Sequence, residues 1–348
     1  VITFQVRLVD CEPEVNRSRT LYVPYMSVKQ KGNSDNESAN ASMSVRTGRE
    51  CFRALSMPEA VTLASGVYRV RASVPSRSKA TADMVQTDEA FWTIFSFHFL
   101  SGEAFTKADC DAGLTRAVLD ATTARRLFGT TDAVGHTVQL DYVDYTVAGV
   151  VADVSMLATA AYAQIWVPYT AAGAEAMSWQ NDTMGPMHAI ILARSSADFD
   201  AIREETELLR KKYNDGLQDV EVFYRGQPDT QLAYLYRRWY AEPDVPGVML
   251  RYAIVVIILL LVPAVNLSGM TLSRMRRRMA EIGVRKAFGA TGGELMRQVF
   301  FENLVLTLLA GIVGLALSYV ATFALNGFLF SNSMNASLSG ETALTPGM

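Results

Sequence analysis

Apolar and polar positions divide the chain into two unlike parts. Residues 1–249 carry short apolar runs separated by polar, Gly- and Pro-containing connections. Beyond them, apolar residues run almost unbroken from Tyr252 to Leu272 and again from Leu304 to Phe330. A helix needs ~20 apolar residues to cross the hydrocarbon core of a bilayer, so both runs read as transmembrane helices rather than buried core helices. The segment between them, Ser273–Asn303, carries Arg274, Arg276, Arg277, Arg278, Arg285, Lys286 and Arg297 against Glu281, Glu294 and Glu302. Lys and Arg in short loops resist translocation. This connector therefore faces the cytoplasm, and residues 1–249 and 331–348 face the other side.

The first part reads as alternating short strands and helices, the pattern of an α+β domain. Val1–Val9, Leu21–Val28 and Val67–Val74 are strand candidates, the first from its alternation and the last alternating over seven residues. Gln30–Ser44 is rich in Asn, Ser, Asp and Gly and reads as an exposed loop. Cys51–Leu55 and Pro58–Ala64 fit short helices. Asp83–Leu100 begins as a strand and ends in Phe91, Trp92, Phe95, Phe97 and Phe99, an aromatic core with His98 packed in it. Thr106 and Asp109 form a local cap. Ala117–Leu119 is a strand, and Asp120 caps a helix over Ala121–Phe128 that Gly129 ends. Val138–Leu140 and Tyr145–Val151 form a hairpin. Strands at Ile165–Tyr169 and His188–Ala193, an amphipathic helix over Asp198–Tyr213 with Phe199, Ile202, Leu208 and Leu209 on one face, and a strand at Val220–Tyr224 complete the domain. Asp229–Tyr240 reads as a helix in a stalk at 229–249, with Trp239 and Tyr240 suited to a membrane interface or to packing. Pro243 and Pro246 interrupt it before the first span.

The basic connector has finer structure. Ser273–Phe288 suits a helix in which Glu281 pairs with Arg285 one turn on, and Gly289 ends it. Thr291 and Glu294 form the T-x-x-E capping box of a second helix. The predicted product is a rigid helix–turn–helix knob at the cytoplasmic surface, a shape a protein partner can grip. In the second span, Ala310, Gly314 and Ser318 recur at every fourth position, a small-residue face for close helix packing.

Composition narrows the chemistry. The net charge of −3 argues against nucleic acid as a partner. No phosphate-cradling GxxxxGK[ST] loop occurs. His98, His136 and His188 are scattered, and no nucleophile–base pattern or metal-ligand spacing stands out, so no catalytic residue, metal or cofactor is assigned. Asp141, Asp144 and Asp153 read as hairpin and strand-end solvation. Cys11, Cys51 and Cys110 cannot all pair within one chain; one disulfide with a free thiol and three small buried hydrophobes both fit. Residue 1 opens directly into a strand-like run, so a signal-anchor helix is expected before it.

Arg278–Ala290, with Glu281, Gly283, Arg285, Lys286, Ala287, Gly289 and Ala290, closely resembles the hallmark of MacB/FtsX-type ABC transporter permeases. Leu295, Gln298, Glu302, Asn303 and the Gly311/Gly314 pair extend the match. Phe105-Thr106, Ala124-Arg125-x-Leu127-Phe128-Gly129, Gly135, Val147-x-Gly149-Val150-Val151 and Pro168-Tyr169 are similar to the MacB-type periplasmic core domain. The resemblance implies four transmembrane helices, of which the first and fourth lie outside this sequence. It implies an α+β extracytoplasmic domain of two subdomains, porter-like at 1–85 and 185–228 and Sabre-like at 86–184. Spans at 250–272 and 304–330 then flank a coupling segment at 273–303. The implied protein is a non-catalytic permease of the bacterial inner membrane. A cytoplasmic ABC ATPase subunit would drive it. It would pair with a second, identical or different, permease subunit and could join a periplasmic adaptor and an outer-membrane channel. The implied mechanism is mechanotransmission for export or efflux, carried by a first span continuous with the Asp229–Tyr240 helix. Lipoprotein release, activation of a wall hydrolase in cell division, and a membrane-anchored sensory module without an ATPase are the alternatives.

Overall fold

The computed structural model describes residues 12–34, 37–75, 79–156, 158–238, 241–289 and 291–331, the backbone alone at 295 and 322–331. The strand expected over Val1–Val9 lies outside these residues, as do Trp239, Tyr240 and the tail at 332–348. The chain divides into two units between Pro243 and Asp244.

The first unit is a mixed α/β domain. Its strands, in chain order, are β1 (Thr20–Val23), β2 (Met26–Gln30), β3 (Ala39–Ala41), β4 (Ala60–Ser65), β5 (Tyr68–Ser73), β6 (Lys79–Thr87), β7 (Phe99–Gly102), β8 (Arg116–Asp120), β9 (Thr137–Leu140), β10 (Val143–Val151), β11 (Ile165–Pro168), β12 (Met187–Leu192), β13 (Val220–Phe223) and β14 (Asp229–Thr230). Three sheets result, ordered β14-β1-β12-β4, β13-β2-β3 and β7-β10-β8-β11-β6-β5-β9. In the third sheet, β9 pairs with β5 through Ala72↔Leu140 and with β10 through Tyr145↔Val138. Six strands thereby close into a barrel, which removes the exposed edges of an open sheet.

Strand alternation explains how three cores share these sheets. Ile165 and Val167 of β11, with Ala117 and Leu119 of β8, join Val70, Val138 and Val147 in the barrel core. Trp166 and Val118 point the other way and pack with Phe91, Phe95 and Phe105 in an aromatic core, where they meet Tyr22, Ala64 and Ile190 of the four-stranded sheet. Leu21, Val23, Ala189 and Ile191 face the third core, shared with the helix Phe199–Asp215 and the three-stranded sheet. The four-stranded sheet is thus covered on both faces. Its central strands are buried at nearly every position, which is why they read as continuous apolar runs rather than as alternation.

Several expectations need correction. The stretch Leu21–Val28 is two strands in two sheets, because Pro24 lacks the N–H a ladder needs. Pro58–Ala64 is not a helix; Ala60–Ser65 is β4, held by Leu63↔Ala189 and its neighbours. Gln30–Ser44 contains β3. His98 is exposed while Phe97 and Phe99 are half-buried, since successive residues of an extended chain face opposite sides. Leu208 is 66% exposed; Ile202, Thr206 and Tyr213 make the buried stripe of that helix. A subdomain boundary at 85/86 would cut β6. Pairing assigns β5 and β6, residues 68–87, to the barrel with the middle of the chain. The stretch Asp229–Tyr240 is not one helix either: Asp229–Thr230 is β14, which joins the four-stranded sheet through Tyr22↔Asp229, and the following helix Gln231–Tyr236 ends at Arg237.

Local signals hold the barrel's corners. Asp120 caps the helix Ala121–Phe128 by accepting from Thr123 N at 2.7 Å, and Gly129 closes it at φ +79°. Thr106 and Asp109 form a reciprocal capping box. At Gly149, β10 passes so close to its neighbour that a Cβ would sit 2.6 Å from Glu103 O. Asp141 accepts from Arg71 N, Asp144 from Gln139 Nε2, and Asp153 from Thr122 N and Oγ1. All three serve turns and strand ends. Cys51 and Cys110 are buried free thiols, and burial raises them to about 11 and about 12; Cys11 lies outside the described residues.

Burial also lifts the carboxyls of Glu14, Asp88, Asp120 and Asp229. Asp120 is pushed up to about 7 despite its amide partner, and Asp88 to about 6 against the pull of Arg53. Their ordinary value is 3.8, so the folded state binds these protons more tightly than the unfolded one. Their contribution to stability is therefore fullest below the unfolded pKa and is lost as pH rises towards about 7. Asp120→Asn keeps a cap acceptor and removes the titration. We predict that it flattens the fall in melting temperature between pH 4 and pH 7.5, followed by tryptophan fluorescence. An unchanged slope would contradict the assignment.

Candidate functional site

The second unit is built from three helices, Val245–Arg277, Met279–Ala287 and Gly292–Ser331. The first and third are long and apolar enough to cross a membrane. Their described apolar side chains are not covered: Leu260 is 67% exposed and Leu315 75%. Pro246 stands in the first turn of the first helix, where its missing N–H is harmless, and Asp244 caps it through Gly247 N at 3.0 Å. Relative to the expected 250–272, this helix extends by about one turn at each end.

The site lies between these helices. At Arg278 the backbone leaves helical geometry (φ −97°, ψ 9°), so the expected helix Ser273–Phe288 is two helices with a break. The short helix Met279–Ala287 places Glu281 in its first turn and Arg285 with Lys286 in its last, matching the helix dipole. Phe288 follows, and Gly289 turns the chain at φ +93°, a conformation that suits Gly. Thr291 and Glu294 then make the predicted capping box, with Thr291 N donating to Glu294 Oε2 at 3.0 Å and Glu294 N to Thr291 Oγ1 at 3.4 Å.

Two clasps close this helical hairpin. Arg278 Nη1 reaches both carboxylate oxygens of Glu302, at 2.8 and 3.1 Å. Arg285 donates to Glu281 at 2.5 Å and to Gln298 Oε1 at 2.8 Å. The predicted Glu281–Arg285 pair is present. Gln298 and Glu302 were not legible as its neighbours, because they are 13 and 24 residues from their partners and meet them only once Gly289 has turned the chain. Lys286, Arg274, Arg276, Arg277 and Arg297 are exposed and without a side-chain partner among the described residues. Phe288 is 89% exposed. Gly283 and Ala287 lie on the exposed surface of the short helix, and Ala290 is outside the described residues. Ala310, Gly314 and Ser318 are exposed on the last helix, with open space where a Gly314 Cβ would stand.

The α/β domain also holds a cavity of about 210 Å³ lined by Tyr22, Ser65, Tyr162, His188 and Tyr234 among others. Burial pushes His188 down to about 4, leaving a neutral ring whose Nε2 lies 2.9 Å from Ser42 Oγ. No cluster of metal-ligating side chains occurs among the described residues.

A mixed α/β domain joined to two helices apolar enough to cross a membrane, with a basic hairpin between them, defines the class, a domain-bearing protein with candidate membrane spans. The chain belongs to the MacB-like periplasmic core domain family, which matches residues 14–209, and residues 253–346 match the FtsX-like permease C-terminal family. It is 28% identical over 231 residues to the pyoverdine export ATP-binding/permease protein PvdT of Pseudomonas aeruginosa, covering 66% of this chain and 33% of that one. It is 26% identical over 258 residues to the macrolide export ATP-binding/permease protein MacB of Chromobacterium violaceum, covering 74% and 38%. MacB of Escherichia coli K12 gives 26% over 255 residues, covering 72% and 36%. The chain thus spans about a third of the length of the curated relatives it matches. Among solved structures, the periplasmic region of MacB from Actinobacillus actinomycetemcomitans is 17% identical with a TM-score of 0.41, over 59% of this chain and 90% of that one. The extracellular domain of YknZ, a transporter from Gram-positive bacteria, gives 16% and 0.40 over 57% and 99%.

Exposed ion pairs contribute about 0.2–1 kcal/mol each, so breaking one clasp should loosen the hairpin without unfolding the chain. Arg278→Glu is predicted to speed amide exchange across residues 279–287 several-fold, and adding Glu302→Arg to slow it again. Equal exchange in the single and double variants would show that the Arg278–Glu302 contact holds nothing.

Proposed function

We propose that this chain is the permease part of an ABC transporter of the MacB/FtsX type. The hairpin at 273–303 faces the cytoplasm, and an ABC ATPase docks on it. ATP binding and hydrolysis move the apolar helices, and the motion reaches the α/β domain on the far side of the membrane. The chain itself does no chemistry. The observation that carries this reading is the division of labour in the hairpin. Arg278, Glu281, Arg285, Gln298 and Glu302 brace each other, whereas Lys286 and Phe288 stand outward. A braced shape presenting an aromatic group beside a free cation suits a protein groove with an acidic rim.

The relatives' names speak of export, which supports export or efflux as the outcome. Those names also join ATP-binding and permease in one protein. The ATPase is placed on a partner chain in this reading, and attachment through the same polypeptide is the arrangement to test against it. The small-residue face at Ala310, Gly314 and Ser318 is assigned to helix packing, in the same subunit or with a second permease subunit. An adaptor and an outer-membrane channel complete the assembly in a double-membrane cell. The membrane is the inner one and the α/β domain is periplasmic. An expected feature is replaced: the first span is not continuous with the helix before it, since that helix stops at Tyr236 and the next begins at Val245.

Lys286→Glu and Phe288→Ala test the docking role without touching the clasps. Each is predicted to lower the ATPase co-purified with the full-length protein roughly tenfold, equivalent to about 1.4 kcal/mol. Arg285→Glu should do the same by a different route, because it also frees Gln298. Undiminished ATPase binding and activity in Lys286→Glu and Phe288→Ala together would remove the docking assignment.

A further inference from the structure

The α/β domain ends in an arginine that no sequence pattern singled out. Arg237 is the C-cap of the helix Gln231–Tyr236, and its backbone is already extended (ψ 120°). Its side chain turns back into the domain and is 1% exposed. It forms a fork on Asp229, with Nη2 on Oδ1 at 2.8 Å and Nε on Oδ2. The same guanidinium donates to Arg225 O at 3.1 Å and, through Nη1, to Ala241 O at 3.1 Å. One planar group thus holds a strand, a turn and the departing chain. A planar fork with several donors can do this, and an ammonium cannot reproduce it.

What it grips is itself fixed. Asp229 is in β14, paired to β1 in the four-stranded sheet. Arg225 lies on Phe223 at 4.8 Å and donates to Ser27 Oγ at 2.8 Å, in β2. Gln227 donates to Tyr25 O at 2.7 Å between β1 and β2. Gly226 stands at φ +76°, and a Cβ there would meet Glu242 Oε1 at 2.8 Å, so the connector packs against this turn one residue beyond Ala241. Two residues later Asp244 caps the helix Val245–Arg277.

We infer that Arg237 is the positioning residue through which movement of the first apolar helix reaches the α/β domain. This rests on the mechanotransmission reading above. A loose connector absorbs displacement, because a flexible chain changes its end-to-end distance at little cost. Arg237 ties Ala241 to the sheet, and Glu242 packs on the turn. Only Pro243 and Asp244 separate that fastened stretch from the helix Val245–Arg277. The helix before the joint is broken, and the side-chain clamp takes the place of a continuous rod.

The test uses the full-length protein with its ATPase in lipid nanodiscs. Cys11, Cys51 and Cys110 are changed to alanine, and an environment-sensitive dye sits on Tyr142→Cys, at a hairpin tip where the native side chain is 83% exposed. ATP with vanadate is added, and the dye's change is read in chains with Arg237, Arg237→Lys and Arg237→Met. The expected result is a nucleotide-dependent change with Arg237, at least threefold smaller with Arg237→Met and intermediate with Arg237→Lys, at equal ATPase binding and turnover. Amide exchange at residues 241–243 should rise in the same order. A full-sized response in Arg237→Met would overturn the inference. If Arg237→Met melts early, the Arg237→Lys arm decides: a full response there with loosened 241–243 amides overturns it equally. A chain retaining Arg237 that binds ATPase yet gives no nucleotide response would instead sink the mechanotransmission reading, and this inference with it.

Discussion

Two helices clothed in outward apolar side chains require a solvent other than water. Burial of apolar area stabilises at about 25 cal/mol per Å², and neither long helix covers its own surface in this chain: Leu260, Leu261 and Val265 on one and Ile312, Leu315 and Leu317 on the other are all more than half exposed. A helix satisfies its backbone hydrogen bonds internally, so it can enter a medium with no hydrogen-bonding capacity. The charged groups of this unit collect towards the ends of these helices. Seven basic residues stand in the connector at 273–303, and they give the arrangement a direction.

From that constraint the shape of the connector follows. Two helix ends facing the same aqueous phase must be joined by a turn whose free amides and carbonyls are satisfied. Gly289 supplies the left-handed turn, Thr291 and Glu294 cap the returning helix, and Arg278 and Arg285 close the gap from the short helix to the long one. These pairs are exposed and individually weak. Their effect is geometric, fixing where Lys286 and Phe288 project. In the α/β domain the fixing elements are buried: the barrel core, the aromatic core around Trp166, and the Arg237–Asp229 fork. Buried charge is costly unless partnered, and every guanidinium nitrogen of Arg237 has a partner at the place where the chain departs.

The sequence was most legible where one residue type answers one local demand. Asp120, Gly129, Thr106, Gly289 and the Thr291–Glu294 box each sit where a helix end needs them. The apolar helices were legible from length alone. Non-local pairing was not. β1 and β2 read as one strand until Pro24 sends them to different sheets. β4 read as a helix because both faces of its sheet are buried, leaving no alternation to see. The barrel closes through Ala72 and Leu140, 68 residues apart, a contact without local trace. At the site, Glu281 with Arg285 was visible at one-turn spacing, whereas Gln298 and Glu302 needed the hairpin. Arg237 stayed hidden among the basic and aromatic residues of its segment, since only the fold brings Asp229, Arg225 and Ala241 around it.

The central claim is that the braced hairpin lies inside the cell while the barrel lies outside. A single cysteine at Lys286, in a chain without Cys11, Cys51 and Cys110, can be offered a membrane-impermeant maleimide on intact spheroplasts and again after lysis, with Tyr142→Cys as the opposite control. The account predicts that position 286 labels only after lysis and position 142 before it. Labelling of position 286 in intact spheroplasts would invert the orientation and contradict the whole scheme.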